Sequence, residues 1–204
     1  MRRIPLSRRS HIVGFQTDAS GLIEHESALE RDFVILTRFR DAAAKIVSQP
    51  VTLSFLDGIQ SRRYTPDFWV RWGDGTAELI EVKYWEDLKK QWSMLRPGFI
   101  AARKWAREQG ATFRIATQRR IRGPFLENAK RLLALRSVPL DQTLADLVRS
   151  VLGSLPDPTF GALAAAVPYE RSAVLGALWR MIARGELGAD LTVPIGLQTR
   201  LRLP

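Results

Sequence analysis

The 204-residue chain has no cysteine and only two histidines, His11 and His25. Disulfides and thiolate metal sites are therefore excluded, and two imidazoles without a thiol partner make a structural zinc site a poor reading. His11 and His25 read instead as surface or core-edge residues. Long apolar runs are also missing: no stretch reaches the roughly 18 residues a membrane span requires. The first residues, Met-Arg-Arg-Ile-Pro, lead into charge rather than an apolar signal core. No membrane association is expected, and the expected location is the cytoplasm.

Acidic residues are in deficit, with 21 Asp and Glu against 31 Lys and Arg, a net charge of +10. The imbalance is not uniform. Residues 1–138 carry 25 basic and 15 acidic side chains, whereas residues 139–204 carry six of each. The first part is thus expected to face a polyanion, with double-stranded DNA the natural partner. Basic clusters stand at Arg2-Arg3, Arg8-Arg9, Arg62-Arg63, Lys89-Lys90, Arg103-Lys104 and Arg119-Arg120. Arg62, Arg63, Lys89, Lys90, Arg119 and Arg120 are the candidate DNA contacts.

What the sequence does hold is a hairpin with chemistry on it. Residues 64–83 read YTPDFWVRWGDGTAELIEVK, two strand-like runs joined at Gly73-Asp74-Gly75. Strand side chains alternate between faces, so Leu79, Glu81 and Lys83 share one face, and Asp67, Trp69 and Arg71 share one on the preceding run. Folding at the turn brings Asp67 beside Glu81. Two carboxylates about 4 Å apart repel by roughly 4 kcal/mol at an effective dielectric near 20, so such a pair shares a proton or binds a cation. Oxygen ligands from Asp67, Glu81 and the Val82 backbone carbonyl suit a hard divalent ion, Mg²⁺ or Mn²⁺. Lys83 points to the same place, where it can orient water or neutralise a phosphate. The plainer reading of such a face is a solvated row of cross-strand ion pairs.

This pattern resembles the PD-(D/E)xK nuclease superfamily and, within it, the TnsA-type endonucleases of heteromeric cut-and-paste transposons. The resemblance extends upstream to residues 27–33, SALERDF, where Glu30 matches the catalytic glutamate of the family's first helix. It includes Ser48-Gln49-Pro50-Val51 and, downstream, Phe113 to Thr117, Ile121-Arg122 and residues 128–133. Gln118 departs from the family, which more often has an acid there. The resemblance implies a restriction-endonuclease-like α/β core, a mixed sheet flanked by helices. Asp67, Glu81 and Lys83 are then catalytic together with Glu30, and one or two Mg²⁺ ions, replaceable by Mn²⁺, are held by Asp67, Glu81 and Val82, with Glu30 a further ligand candidate. It also implies a bacterial, nucleoid-associated protein that nicks the 5′ ends of a transposon, partnered by a DDE-type transposase and an AAA+ ATPase. A stand-alone restriction or repair nuclease and a non-catalytic DNA-binding regulator are the alternatives.

Helical spacing from Glu26 to about Phe39 puts Glu26, Glu30 and Phe33 on one stripe, with Leu29 and Leu36 alongside; Glu26 is the reserve acid. After the hairpin, residues 85–109 read as a helix or broken pair, with Pro97-Gly98 as the expected break and Trp92 and Trp105 as core aromatics. Residues 111–117 read as a core strand and residues 128–136 as a closing helix. The first domain is expected at 1–138 with the order α, β, β, α, β, α. Residues 139–204 are expected to form a second domain of three helices and a weak β-wing, a winged-helix-like module. Asp141 caps its first helix, and residues 170–184 form its third. With no net positive charge it suits protein docking better than independent DNA reading.

Overall fold

The computed structural model describes the backbone at residues 14–18 and 21–25 and the whole of residues 27–204. Arg2, Arg3, Arg8, Arg9, His11 and Glu26 lie outside the described residues, and His25 is placed only as the last residue of a strand. Two compact units emerge, one ending at Arg122 and one running Gly123–Pro204.

In the first unit, β1 (Gly14–Asp18) and β2 (Gly21–His25) form an antiparallel pair ahead of α1 (Ala28–Arg40). Ser27 starts α1 because its hydroxyl accepts the Glu30 N–H at 3.1 Å, satisfying one of the helix's orphan donors. Next come β3 (Lys45–Ser48), a separate hairpin of β4 (Leu53–Asp57) and β5 (Gln60–Tyr64), and then β6 (Phe68–Arg71) and β7 (Ala77–Val82). Helices α2 (Trp85–Lys90) and α3 (Trp92–Glu108) cross over to β8 (Thr112–Ala116), followed by the short α4 (Gln118–Ile121). The central sheet has the order β3-β6-β7-β8. Its first three strands pair antiparallel and β7–β8 is parallel, the geometry that demands a long crossover such as α2–α3.

Both faces of the sheet are covered. Phe33 of α1 stacks on Phe68 at 5.5 Å on one side. On the other, Leu79 packs with Phe99, Ala102 and Ala106 of α3 and with Phe113 of β8. Leu79 and Ile80 are buried on opposite faces at the centre of β7, as in a sandwiched strand, and Glu81 is buried beside them as the one charged residue of that stretch.

Several expectations are corrected. The helix does not break at Pro97-Gly98: the chain leaves helical geometry at Gln91, and α3 runs through Pro97. An interior proline costs about 3 kcal/mol; burial of Phe99, Ala102 and Ala106 on one stripe offsets it. Trp92 is 47% exposed rather than core, whereas Trp105 packs edge-on against Trp69 at 5.6 Å. The β3 strand and the β4–β5 hairpin were absent from the expected order. The closing helix, α5 (Pro124–Leu135), starts earlier than expected and falls in the second unit, so the division lies at Arg122/Gly123 rather than after residue 138. Its polar groups explain this: Asn128 Nδ2 donates to the Leu191 and Val193 carbonyls at 3.0 and 2.8 Å, and Arg136 Nε donates to the Ala183 carbonyl.

The second unit continues with α6 (Gln142–Ser154), α7 (Phe160–Ala166) and α8 (Arg171–Ala183). Side chains of Asp141, Thr159 and Glu170 cap the three. The tail makes isolated bridges, Gly188 with Arg202 and Thr159 with Arg200, instead of continuous strands.

Candidate active site

The β6–β7 hairpin turns through Gly73-Asp74-Gly75. Trp72 N–H meets the Thr76 carbonyl at 2.9 Å, and Gly75 takes φ 86°, a left-handed conformation that suits glycine. Its register pairs Phe68 with Ile80. One step further along both strands, Asp67 stands opposite Glu81.

The contacts agree with that register. Asp67 is half-buried, and its Oδ2 accepts the Val82 N–H at 2.6 Å. Its own carbonyl accepts the N–H of Gln49 at 2.7 Å; Gln49 holds φ 45°, the left-handed region a side chain seldom occupies. The glutamine-bearing stretch thus fixes the backbone at Asp67. Glu81 is 3% exposed. Its Oε1 accepts from Lys83 Nζ at 2.9 Å and its Oε2 from the Tyr64 hydroxyl at 2.6 Å. Val82 ends β7, buried, with Ala116 as its parallel neighbour.

Glu78, three residues before Glu81 on the same strand, shows what an ordinary acid looks like here. It accepts from Trp72 Nε1 and from the exposed Arg114, an ion pair of the expected cross-strand kind. Glu81 differs by being buried and held by a phenol and an ammonium.

The electrostatics follow from this crowding. Burial, then the charges of Glu81 and Glu30, push the Asp67 carboxyl well above its ordinary range, against the opposing pull of the Val82 N–H and Lys83. For Lys83, burial pulls the ammonium down, but Glu81 and Asp67 outweigh it and the net shift is upward. Lys83 is thus a cation at neutral pH, a donor without acceptor capacity. Burial, followed by Glu81, raises the Tyr64 hydroxyl far above the ordinary phenol value, so it stays a proton donor.

Glu30 stands in the first turn of α1, where its Oε1 accepts the Ser27 hydroxyl at 2.8 Å. It is within electrostatic reach of Asp67. Among the described residues, however, no three His, Cys, Asp or Glu side chains converge closely enough to hold a metal ion. What converges is the pair Asp67 and Glu81. Two hard oxygen donors whose mutual repulsion raises one pKa fit a hard divalent cation, since a cation would relieve that repulsion.

The candidate DNA contacts fall into two groups. Arg62 and Arg63 lie on β5, Arg62 paired with Asp57 at 3.0 Å. Lys89, Lys90, Arg119 and Arg120 lie on α2 and α4. Lys89 and Arg119 share Glu86 at 2.7 and 3.9 Å, and the Arg119 guanidinium sits 4.7 Å from the Trp85 ring centroid.

The contacts of two residues were not anticipated from the sequence. Tyr64 ends β5 and belongs to a different hairpin from Asp67; the Thr65-Pro66 step before Asp67 was the signal that the run is broken. Gln118, the departure from the family pattern, accepts the Trp85 N–H at 2.7 Å and so ties α4 to the start of α2, two residues after Lys83.

No helix among the described residues is long and apolar enough to cross a membrane. No curated protein matches the chain. Residues 40–118, which hold Asp67, Glu81 and Lys83 but begin after Glu30, match the family model described as TnsA-like endonuclease N terminal. This stretch, well under half of the chain, is therefore similar to the TnsA-like endonuclease N-terminal domain, consistent with a TnsA-type endonuclease.

Proposed function

We propose that this protein is the DNA-nicking subunit of a heteromeric cut-and-paste transposase, cutting the strand at the 5′ ends of the element with Mg²⁺, or Mn²⁺ in its place. The observation that carries the reading is the convergence of Asp67, Glu81 and Lys83 at one end of the hairpin, within a stretch that matches the TnsA-like domain.

Asp67 and Glu81 would hold the ion, with the Val82 carbonyl and Glu30 as further ligands. Bound there, the ion supplies Lewis-acid polarisation of the phosphoryl oxygen and an acidified water. The chain's own groups do the rest. Lys83, kept cationic by its two acidic neighbours, donates toward the developing charge on phosphate. Glu81 keeps that ammonium in place. Sequestration of Glu81 from solvent strengthens these interactions relative to water.

In this reading the second unit, winged-helix-like in its three capped helices, docks a partner rather than reading sequence alone. The partners are a DDE-type transposase, which joins the 3′ ends, and an AAA+ ATPase. The test is strand-resolved cleavage of DNA carrying an element end, with Mg²⁺ and the neighbouring transposase and ATPase. We expect 5′-side nicks from wild type and a loss of about a hundredfold or more in Lys83→Ala and Asp67→Ala. Unchanged nicking by either variant removes the assignment, and efficient cutting by the wild type without partners replaces the transposon role with that of an independent nuclease.

A further inference from the structure

Tyr64 is the one neutral side chain hydrogen-bonded to the buried Glu81 among the contacts described, and its ring is seated with little freedom. It lies close against α3 at Gly98. A β-carbon at Gly98 would come within 3.0 Å of the Tyr64 Cγ and 3.2 Å of its Cβ and Cδ2. Contacts that close are tighter than ordinary van der Waals packing, so a side chain at 98 would push the ring or the helix aside by a few tenths of an ångström. Phe99 meets the same ring edge-on at 5.7 Å. From this seat the hydroxyl reaches Glu81 Oε2 at 2.6 Å.

We infer that Tyr64 is a positioning residue for the metal-holding carboxylate Glu81, with Gly98 as the notch in α3 that seats it. The inference rests on the nuclease reading above and adds to it a residue outside the acid–lysine motif. A carboxylate offers about four lone-pair positions. Lys83 takes one on Oε1 and Tyr64 one on Oε2, which sets the plane of the group and leaves acceptor capacity for a cation. Outer partners of this kind typically contribute ten- to a hundredfold to metal affinity by orienting the ligand. A phenylalanine at 64 would fill the notch over Gly98 equally well, so packing alone does not account for the hydroxyl.

The test is Mn²⁺ binding by calorimetry to the full chain as wild type, Tyr64→Phe, Gly98→Ala, Asp67→Asn and, as a control, Tyr169→Phe, whose ring is half-exposed in the second unit. Tyr64→Phe is expected to melt cooperatively and to bind Mn²⁺ about tenfold more weakly. The Mg²⁺ needed for half-maximal nicking should rise by about the same factor while the rate at saturating Mg²⁺ stays close to wild type. Gly98→Ala should reproduce the loss by displacing the ring, and Tyr169→Phe should show none. Wild-type or tighter Mn²⁺ affinity in Tyr64→Phe, with binding still lost in Asp67→Asn, overturns the positioning role and leaves the nuclease reading standing. Wild-type affinity in Gly98→Ala overturns the notch. A wild-type protein that binds no Mn²⁺ overturns the nuclease reading and this inference with it.

Discussion

Asp67 is held in a state that opposes its own charge. Its hydrogen bond from Val82 stabilises the carboxylate, yet burial, Glu81 and Glu30 together raise its pKa well above 3.8. A carboxyl with a higher pKa folded than unfolded binds more protons in the folded state, so stability falls as pH rises from the ordinary value through the raised one. Asp67→Asn keeps an oxygen for the Val82 N–H and removes the charge. Thermal melts in metal-free buffer, from about pH 4 to about pH 8, should therefore start close together and separate, with the asparagine variant the more stable at the upper end. Parallel curves would show that Asp67 is not under this repulsion. The same residue shows why part of the site was legible: strand alternation and a glycine turn suffice to place Asp67 opposite Glu81, because those relations are local. Tyr64 was not, since it reaches Glu81 from another hairpin over a notch in α3, and nothing at sequence distances of a few residues encodes that contact.

At the level of elements, α1 opens on a reciprocal arrangement in which Ser27 accepts the Glu30 N–H and Glu30 accepts the Ser27 hydroxyl. Glu30 therefore has a structural task besides the catalytic one proposed for it, and conservative substitution separates the two. Glutamine serves in such a cap as well as glutamate, so Glu30→Gln should leave the melting temperature nearly unchanged. If the acid belongs to the nicking machinery, that variant should lose activity by about tenfold or more. Ser27→Ala should cost about 1 kcal/mol of stability by denaturant titration and affect nicking much less. Equal nicking by Glu30→Gln and wild type would leave Glu30 as a cap alone. The course of α1 could be read from helical spacing, and the β6–β7 hairpin and β8 from turn residues and strand-like runs, whereas the Ser27 cap shows only in the structure. The β4–β5 hairpin could not be read: neither strand has a fully buried residue, Leu56 is exposed, and β5 runs Gln-Ser-Arg-Arg before Tyr64, so the apolar signal is weak. Pro97 misled for the opposite reason, because buried contacts along α3 outweigh its local penalty.

Over the whole molecule the charge divides by unit. The first, through Arg122, holds 22 basic and 14 acidic residues, and the second holds nine and seven, so +8 of the +10 lies in the first. That unit also carries Asp67, Glu81 and Lys83, which places the cationic surface and the acidic pair in one body. Two of the candidate DNA contacts, Lys89 and Arg119, are partly committed within the protein, where they share Glu86. Such exposed pairs are weak and readily exchanged, so the two side chains remain available to phosphate. Each phosphate neutralised contributes about 0.9 to the slope of log affinity against log salt. Lys89→Ala with Arg119→Ala should therefore weaken duplex binding regardless of sequence and flatten that slope by about two. Arg200→Ala, which removes an arginine paired with Asp157 in the second unit, should leave the slope unchanged. Fluorescence anisotropy across a salt series measures both. A slope altered by the second-unit variant and not by the α2–α4 pair would move the DNA-binding surface to the second unit and withdraw the docking role proposed for it.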